Sequence, residues 1–291
     1  MADELASANA VLKEFERLVD TGATNPFEGP LRCGVDLGTA NIVLAVVDAD
    51  NKPVAGASFP SKVVRDGVVV DYIGAIRVVT RLKDQLEQAL GVELDAGACA
   101  IPPGVAEGSV KALGNVVEGA GFRLAGVLDE PTAASLVLGI KEGAVVDVGG
   151  GTTGISILHD GKVTFTADEP TGGGHMTLVL SGAMGISTEE AEVMKRDPAQ
   201  ERLVYPAVRF TVEKMAAIVK QFLSTDPTVD TVYVVGGACS FSEFAATFEK
   251  YLGLRVVKPY APLLVTPLGI AYGCGAKEKR PSVFQHHSNR H

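Results

Sequence analysis

Two stretches of this chain repeat one another, and that repeat restricts the fold more than any other feature. Residues 144–163 read AVVDVGGGTTGISILHDGKV. The β-branched runs flank glycines free to take positive φ, so the segment predicts strand, tight turn, strand, then a hairpin turn at Asp160-Gly161. Residues 33–48, CGVDLGTANIVLAVVD, have the same order of apolar run, Asp-x-Gly, threonine and alternating strand. A repeat at this spacing implies two similar lobes, each presenting one aspartate and one turn to a shared cleft. Glycine turns expose backbone N–H groups that suit phosphate oxygens, and an aspartate just ahead of them can hold a phosphate-bound Mg²⁺, usually through water. Glycine-rich hairpins are also common as plain turns, and the residues alone leave both readings open.

With 291 residues, 46% of them hydrophobic, the chain can bury one large core or two modest ones. A net charge of −9 without a clustered Lys/Arg run argues against nucleic acid or an anionic membrane as the main partner. No apolar run approaches the roughly 18 residues of a spanning helix, and the acidic start lacks the basic region of a signal peptide, so a cytoplasmic protein is expected. Cys33, Cys99, Cys239 and Cys274 stand far apart without a C-x-x-C pair and are expected to be buried free thiols. His286, His287 and His291 fall in a polar tail after Pro281, for which disorder is expected.

Residues 4–20 place Leu5, Ala8, Leu12, Phe15 and Val19 at steps of three and four, predicting an amphipathic helix. The Gly/Pro-containing stretch 21–30 sets it apart from the repeat. Either it docks on its own protein or its apolar face binds a partner, and the linker suggests that residues 1–22 are dispensable for the fold. Further helices are expected over 72–91, 105–121, 176–182, 188–194 and 206–223, with strands at 97–101, 124–128 and 231–235. Glu130 opens a helix whose first turn holds Pro131; an acidic group there suits the helix dipole or, in a cleft, could orient water. Gly172 to Gly174 with His175 form another helix start able to face an anion. Ser240 and Glu243 have the spacing of a capping box.

In order along the chain, Asp36-x-Gly38-Thr39, Leu128 to Ser135, Asp147-x-Gly149-Gly150-Gly151-Thr152-Thr153, Val234 to Ser240 and Pro267 to Gly273 resemble five motifs of the actin, DnaK-type chaperone and sugar-kinase superfamily. The resemblance covers residues 31–279 and implies an α/β protein with the actin-like ATPase fold, two RNase H-like lobes around a nucleotide cleft, and a trimmed first-lobe insertion. It implies residues 1–30 as helix and linker, 31–143 with 262–279 as the first lobe, 144–261 as the second, and 280–291 as tail. ATP and Mg²⁺ are the implied cofactors. Asp36 and Asp147 would lie near the metal, with Gly38, Thr39, Asn41, Gly149, Gly150, Gly151, Thr152 and Thr153 on phosphate. Gly173, Glu213, Lys214, Gly236, Gly237 and Ser240 would hold the rest of the nucleotide, and Glu130 and Asp147 would serve a slow hydrolysis. Lys62 is the nearest counterpart of the chaperones' phosphate-facing lysine, although a solvated loop lysine is the commoner state. Within the superfamily, Val64 to Gly67, Leu128 to Ala133, Ala167 to Glu169 with Thr171 to Gly173, and Glu189 to Glu192 resemble the chaperone-like family of ethanolamine utilisation. That implies an ethanolamine-degrading enzyme or microcompartment protein as partner and a place at a bacterial microcompartment. A filament or scaffold protein and a small-molecule kinase are the alternatives; the oligomeric state stays open.

Overall fold

The computed structural model describes residues 4–65 and 67–275. The expected tail lies outside the described residues. Helix α1 (Ala6–Thr21) comes first, followed by the strands β1 (Arg32–Leu37), β2 (Asn41–Val47) and β3 (Pro53–Pro60) and a small hairpin, β4 (Val64–Arg65) with β5 (Val68–Val69). Then come α2 (Tyr72–Leu90), β6 (Ala96–Ile101), α3 (Glu107–Gly119), β7 (Arg123–Asp129) and α4 (Glu130–Leu138). The second half runs β8 (Gly143–Val148), β9 (Thr153–His159), β10 (Lys162–Glu169), α5 (Gly173–Met184), α6 (Thr188–Arg196), α7 (Glu201–Leu223), β11 (Thr231–Val235), α8 (Phe244–Leu252), β12 (Arg255–Val257) and α9 (Val265–Gly273).

The repeat in the sequence is a repeat of sheets. One sheet has the order β3-β2-β1-β6-β7 and the other β10-β9-β8-β11-β12. In both, the strand before the turn pairs antiparallel with the strand after it and parallel with a later one, and the outermost pair on that side is parallel. β2 shows why such strands read as unbroken apolar runs. Ile42, Leu44 and Val46 enter the first-lobe core with Val79, Leu82 and Leu113, while Val43, Ala45 and Val47 face a separate core between the lobes. Both faces are covered, so no polar alternation survives. The second sheet packs Val146, Ile155 and Val234 against Val208, Met215 and Phe248.

α4 and α9 cross where the lobes join. A Cβ on Gly269 would lie 1.9 Å from the Ala133 carbonyl oxygen, and one on Gly34 would lie 2.4 Å from the Ala271 nitrogen. Neither position has room for a side chain, so α9 rests backbone to backbone on α4 and on β1.

The N-terminal helix is docked on its own protein, the first of the two expected alternatives. Leu12, Phe15 and Leu18 are fully buried, and Leu12 and Phe15 join the interlobe core with Val43, Ala45 and Val47. Its seat includes Gly56 on β3, where a Cβ would stand 2.6 Å from both Phe15 Cε2 and Val19 Cγ2. The linker is pinned too: Asn25 N–H donates to the Val54 carbonyl (2.8 Å) and its Nδ2 to that of Pro53 (3.0 Å). The glycines and prolines end the helix and turn the chain back; they do not detach it.

Two local expectations also change. α7 starts at Glu201, with Pro206 inside it, because Asp197 caps a short 3₁₀ turn led by Pro198 that opens the helix earlier. Ser240 lies in a 3₁₀ turn, Gly237–Ser240, and α8 begins only at Phe244 without a side-chain cap, so the expected capping box does not form. Ser187 and Glu190 do form one at α6.

Truncating Phe15 to alanine leaves a large void against Gly56 and β2, and should lower unfolding free energy by about 3–5 kcal/mol. Urea unfolding followed by circular dichroism measures this; a loss below about 1 kcal/mol would mean that α1 does not hold its seat.

Candidate functional site: a cleft between two phosphate-type turns

The turns that follow β1 and β8 face each other across a cavity of about 420 Å³ between the lobes. Such a volume is ordinary for a small-ligand site. Gly149 N–H donates to the Thr152 carbonyl (3.0 Å) and closes the second-lobe turn. The later glycines brace it: Gly173 and Gly174 N–H donate to the carbonyls of Gly149 (2.9 Å) and Gly150 (2.7 Å). A Cβ on Gly172 would stand 2.7 Å from the Gly149 oxygen, so this bracing requires glycine. A Cβ on Gly150 would reach within 3.2 Å of Thr39 Cβ, which shows how closely the two turns approach.

Carboxylates line the same cavity. Asp147, 5% exposed, accepts a hydrogen bond from Thr266 Oγ1 (2.6 Å) on α9. Gly236, at φ 91°, clears the space beside it; a Cβ there would lie 2.4 Å from Asp147 Oδ1. Asp36 ends the first-lobe strand. Glu130 begins α4, whose N-cap Asp129 accepts from Thr132 N–H (2.9 Å). Burial, with Asp147 nearby, pushes the Asp36 carboxyl up to about 7. Burial likewise raises Asp147 to about 6, against the lowering effect of the Thr266 hydrogen bond. Glu130 is raised well above the ordinary range by burial, then by Asp147, Asp36, Asp168 and Asp129. An array that resists ionisation in this way is relieved by a cation.

Mg²⁺ fits this donor set, since it is commonly held by one or two carboxylates together with phosphate oxygens and water. Among the described residues no cluster of three ligating side chains is preformed. Asp36 and Asp147 would therefore share the ion with the ligand.

Most of the sequence-predicted residues meet here. Asp36, Gly38, Thr39, Asn41, Glu130, Asp147, Gly149, Gly150, Gly151, Thr152, Gly173, Gly236, Gly237 and Ser240 line the cavity. Thr153 is instead buried behind it, donating to the Thr171 carbonyl (2.5 Å). Glu213 and Lys214 are not in the lining. Glu213 pairs with Arg209 (3.3 Å) and Lys214 is exposed, because they lie 12 and 13 residues beyond Glu201, about 18–20 Å along the helix. Lys62 is also outside the cavity, 81% exposed and 3.7 Å from Glu189. His175 is exposed, its Nδ1 3.5 Å from Gly172 N.

The residues that border the cavity in place of Glu213 and Lys214 are Glu192, Lys195, Arg196 and Glu201. Lys195 is 12% exposed and donates to the Gly173 carbonyl (2.9 Å), Thr177 Oγ1 (2.7 Å) and Glu192 (2.7 Å). Burial lowers its proton affinity, and Glu192 opposes that. Arg196 donates to Glu192 (2.7 Å) and across the cleft to Asn41 Oδ1 (3.2 Å). In sequence these charges look like the solvated face of a short helix. The i,i+3 spacing of Glu192 and Lys195 is the sole local hint.

Comparison with known proteins agrees with this architecture. Residues 144–269 match the model of the family described as cell division protein FtsA, and residues 60–181 that of the MreB/Mbl protein. Ethanolamine utilization protein EutJ of Escherichia coli K12 is 44% identical over 258 residues, 88% of this chain and 90% of that protein. The chain belongs to the EutJ family. The crystal structure of EutJ from Carboxydothermus hydrogenoformans superposes with a TM-score of 0.88 at 48% identity, covering 92% of this chain and 99% of that one. MreB5 of Spiroplasma citri, solved bound to AMPPNP, shares the actin-like ATPase fold at a TM-score of 0.69 and 17% identity, over 84% of this chain and 96% of its own. No helix among the described residues is long and apolar enough to cross a membrane.

The raised carboxyls fix a pH dependence. Asp36 ionises near 3.8 when unfolded and near 7 when folded, so the folded form holds the extra proton between these values. Its contribution to stability is therefore lost as pH rises from about 4 to about 7. Asp36→Asn should raise the Tm of the ligand-free protein by several degrees at pH 8 and leave it nearly unchanged at pH 4. Equal effects at both pH values in differential scanning calorimetry would contradict the assignment.

Proposed function

We propose that this EutJ-family protein binds Mg-ATP between its lobes and uses the bound nucleotide to set its affinity for a protein of ethanolamine utilisation, as a chaperone-like switch in enzyme reactivation or microcompartment assembly. The observation that carries the nucleotide reading is the pair of facing glycine turns, each preceded by an aspartate of raised proton affinity. Backbone N–H groups of Gly38, Thr39 and Gly150 to Thr152 would cradle phosphate oxygens, with the Gly149 N–H closing the turn. Mg²⁺ would supply charge neutralisation between those oxygens. Glu192, Lys195 and Arg196 border the end of the cavity beside Gly236, Gly237 and Ser240, where backbone without side chains admits a flat nucleoside. Glu130 would orient the attacking water, and its resistance to ionisation leaves little of it as carboxylate to accept a proton at neutral pH, consistent with slow turnover.

The partner half of the proposal is supported by the family. Its named relatives are ethanolamine utilization proteins. ATP and ADP would favour different lobe closures, and differential contact with the partner would convert closure into affinity.

Mg-ATP should raise the Tm, and Asp147→Ala should abolish most of the rise. Glu130→Gln should keep the nucleotide-induced stabilisation and slow phosphate release by about a hundredfold. An unchanged Tm for the well-folded protein at millimolar Mg-ATP would refute the nucleotide reading. Regular filaments and reversible scattering on adding Mg-ATP would favour the scaffold alternative instead.

A further inference from the structure

α1 is attached to both lobes. Its middle and C-terminal turns belong to the first lobe: Phe15 and Val19 close over Gly56, and Arg17 binds Glu14 (2.7 Å) and Asn25 (3.0 Å), the residue that ties the linker to β3. Its N-terminal end belongs to the second. Glu4 accepts a hydrogen bond from the Tyr233 hydroxyl on β11 and pairs with Arg255 on β12 (2.7 Å). Asn9 Oδ1 accepts from the backbone N–H of Tyr260 (2.8 Å), and the Lys13 ammonium stands 5.1 Å from the Tyr260 ring centroid. Leu12, between the two anchor points, is packed with α4 and α9 in the interlobe core.

We propose that α1 is a strap that sets the angle between the lobes, and through that angle governs how long a ligand stays in the cleft. The lobes meet at the α4–α9 crossing, so a change of closure is a rotation about that contact. A rigid 16-residue helix cannot follow both lobes through a rotation. One end must slide or let go, and the second-lobe end is the weaker, since its buried side chains are the smaller Leu5 and Ala8 beside hydrogen bonds and a half-exposed ion pair, while the first-lobe end is held by buried Phe15 and Leu18. The contacts at Glu4, Asn9 and Lys13 therefore stabilise the closure seen here, and closures at other angles lose them. The strap's effect on ligand residence rests on the nucleotide reading above; its effect on lobe angle does not.

The test cuts the second-lobe end without touching the cleft. Nitroxide labels on Lys111→Cys in the first lobe and Lys214→Cys in the second report the interlobe distance, because the four native cysteines are buried. In the full-length protein carrying Glu4→Ala and Asn9→Ala, double electron–electron resonance should show the single narrow distance distribution broaden or split while circular dichroism stays unchanged. Release of a fluorescent Mg-ADP analogue should become about fivefold faster. Arg17→Ala, which trims the exposed part of the first-lobe end, should leave both readouts as they are. If Glu4→Ala with Asn9→Ala proves unfolded, Arg255→Ala with Tyr233→Phe cuts the Glu4 contacts from the other side and should broaden the distribution likewise. A distribution unchanged in a folded variant overturns the strap. A distribution that broadens in a protein that takes up no Mg-ADP keeps the strap and sinks the nucleotide reading.

Discussion

Everything in this molecule hangs on the contact of Gly269 with the Ala133 carbonyl. It brings α9 onto α4 without intervening side chains, and α9 in turn delivers Thr266 to Asp147 while its other face lies on Gly34 of β1. Each lobe has its own core on the outer side of its sheet, but the inner faces of β2 and β8 are covered only because these two helices and α1 lie between them. A methyl group at 269 would push the helices apart and with them the two carboxylates. The geometry of the cleft is thus set by packing well behind it.

The cleft itself works against stability. Asp36, Asp147 and Glu130 are buried close to one another, and among the described residues no positive charge offsets the rise in their proton affinity. Lys195, the buried cation on the rim, is already engaged by Glu192, Thr177 and a backbone carbonyl. An arrangement of this kind persists where the strain is useful, and here a divalent ion arriving with an anionic ligand would relieve it.

How much of this was legible in the sequence follows from what each feature depends on. The duplicated Asp-x-Gly turns are local: strand, glycine and strand decide them, so the twin sheets and the positions of Asp36, Asp147 and the turn glycines could be read directly. Glu130 was legible through Pro131 and the apolar strand ahead of it. Glu213 and Lys214 lie outside the cavity lining because Asp197 and Pro198 open the helix ahead of Pro206, a tertiary choice that the proline in the sequence does not announce. Lys195 was invisible because its burial depends on Gly173 and Thr177, which reach it through tertiary packing. The docking of α1 depends on a surface assembled from β2, β3 and α9. The amphipathic spacing of Leu5, Ala8, Leu12 and Phe15 is one sign of it, and the apolar run Ile42 to Val47 is another, since a strand apolar on both faces needs two covers.

The docked helix has a consequence for how the protein is made. Asn9 and Tyr260 are 251 positions apart, so α1 leaves the ribosome well ahead of the residues that carry its last anchor. At about 5–20 residues per second that interval is roughly 10–50 s, during which Leu12, Phe15 and Leu18 have at most the early strands of the first lobe to cover them. In a crowded polysome the vacant seat on one nascent chain is open to the helix of its neighbour. The same ten-residue linker that lets the helix fold back would let it cross over, and exchange of α1 between copies is the misassembly this architecture most invites.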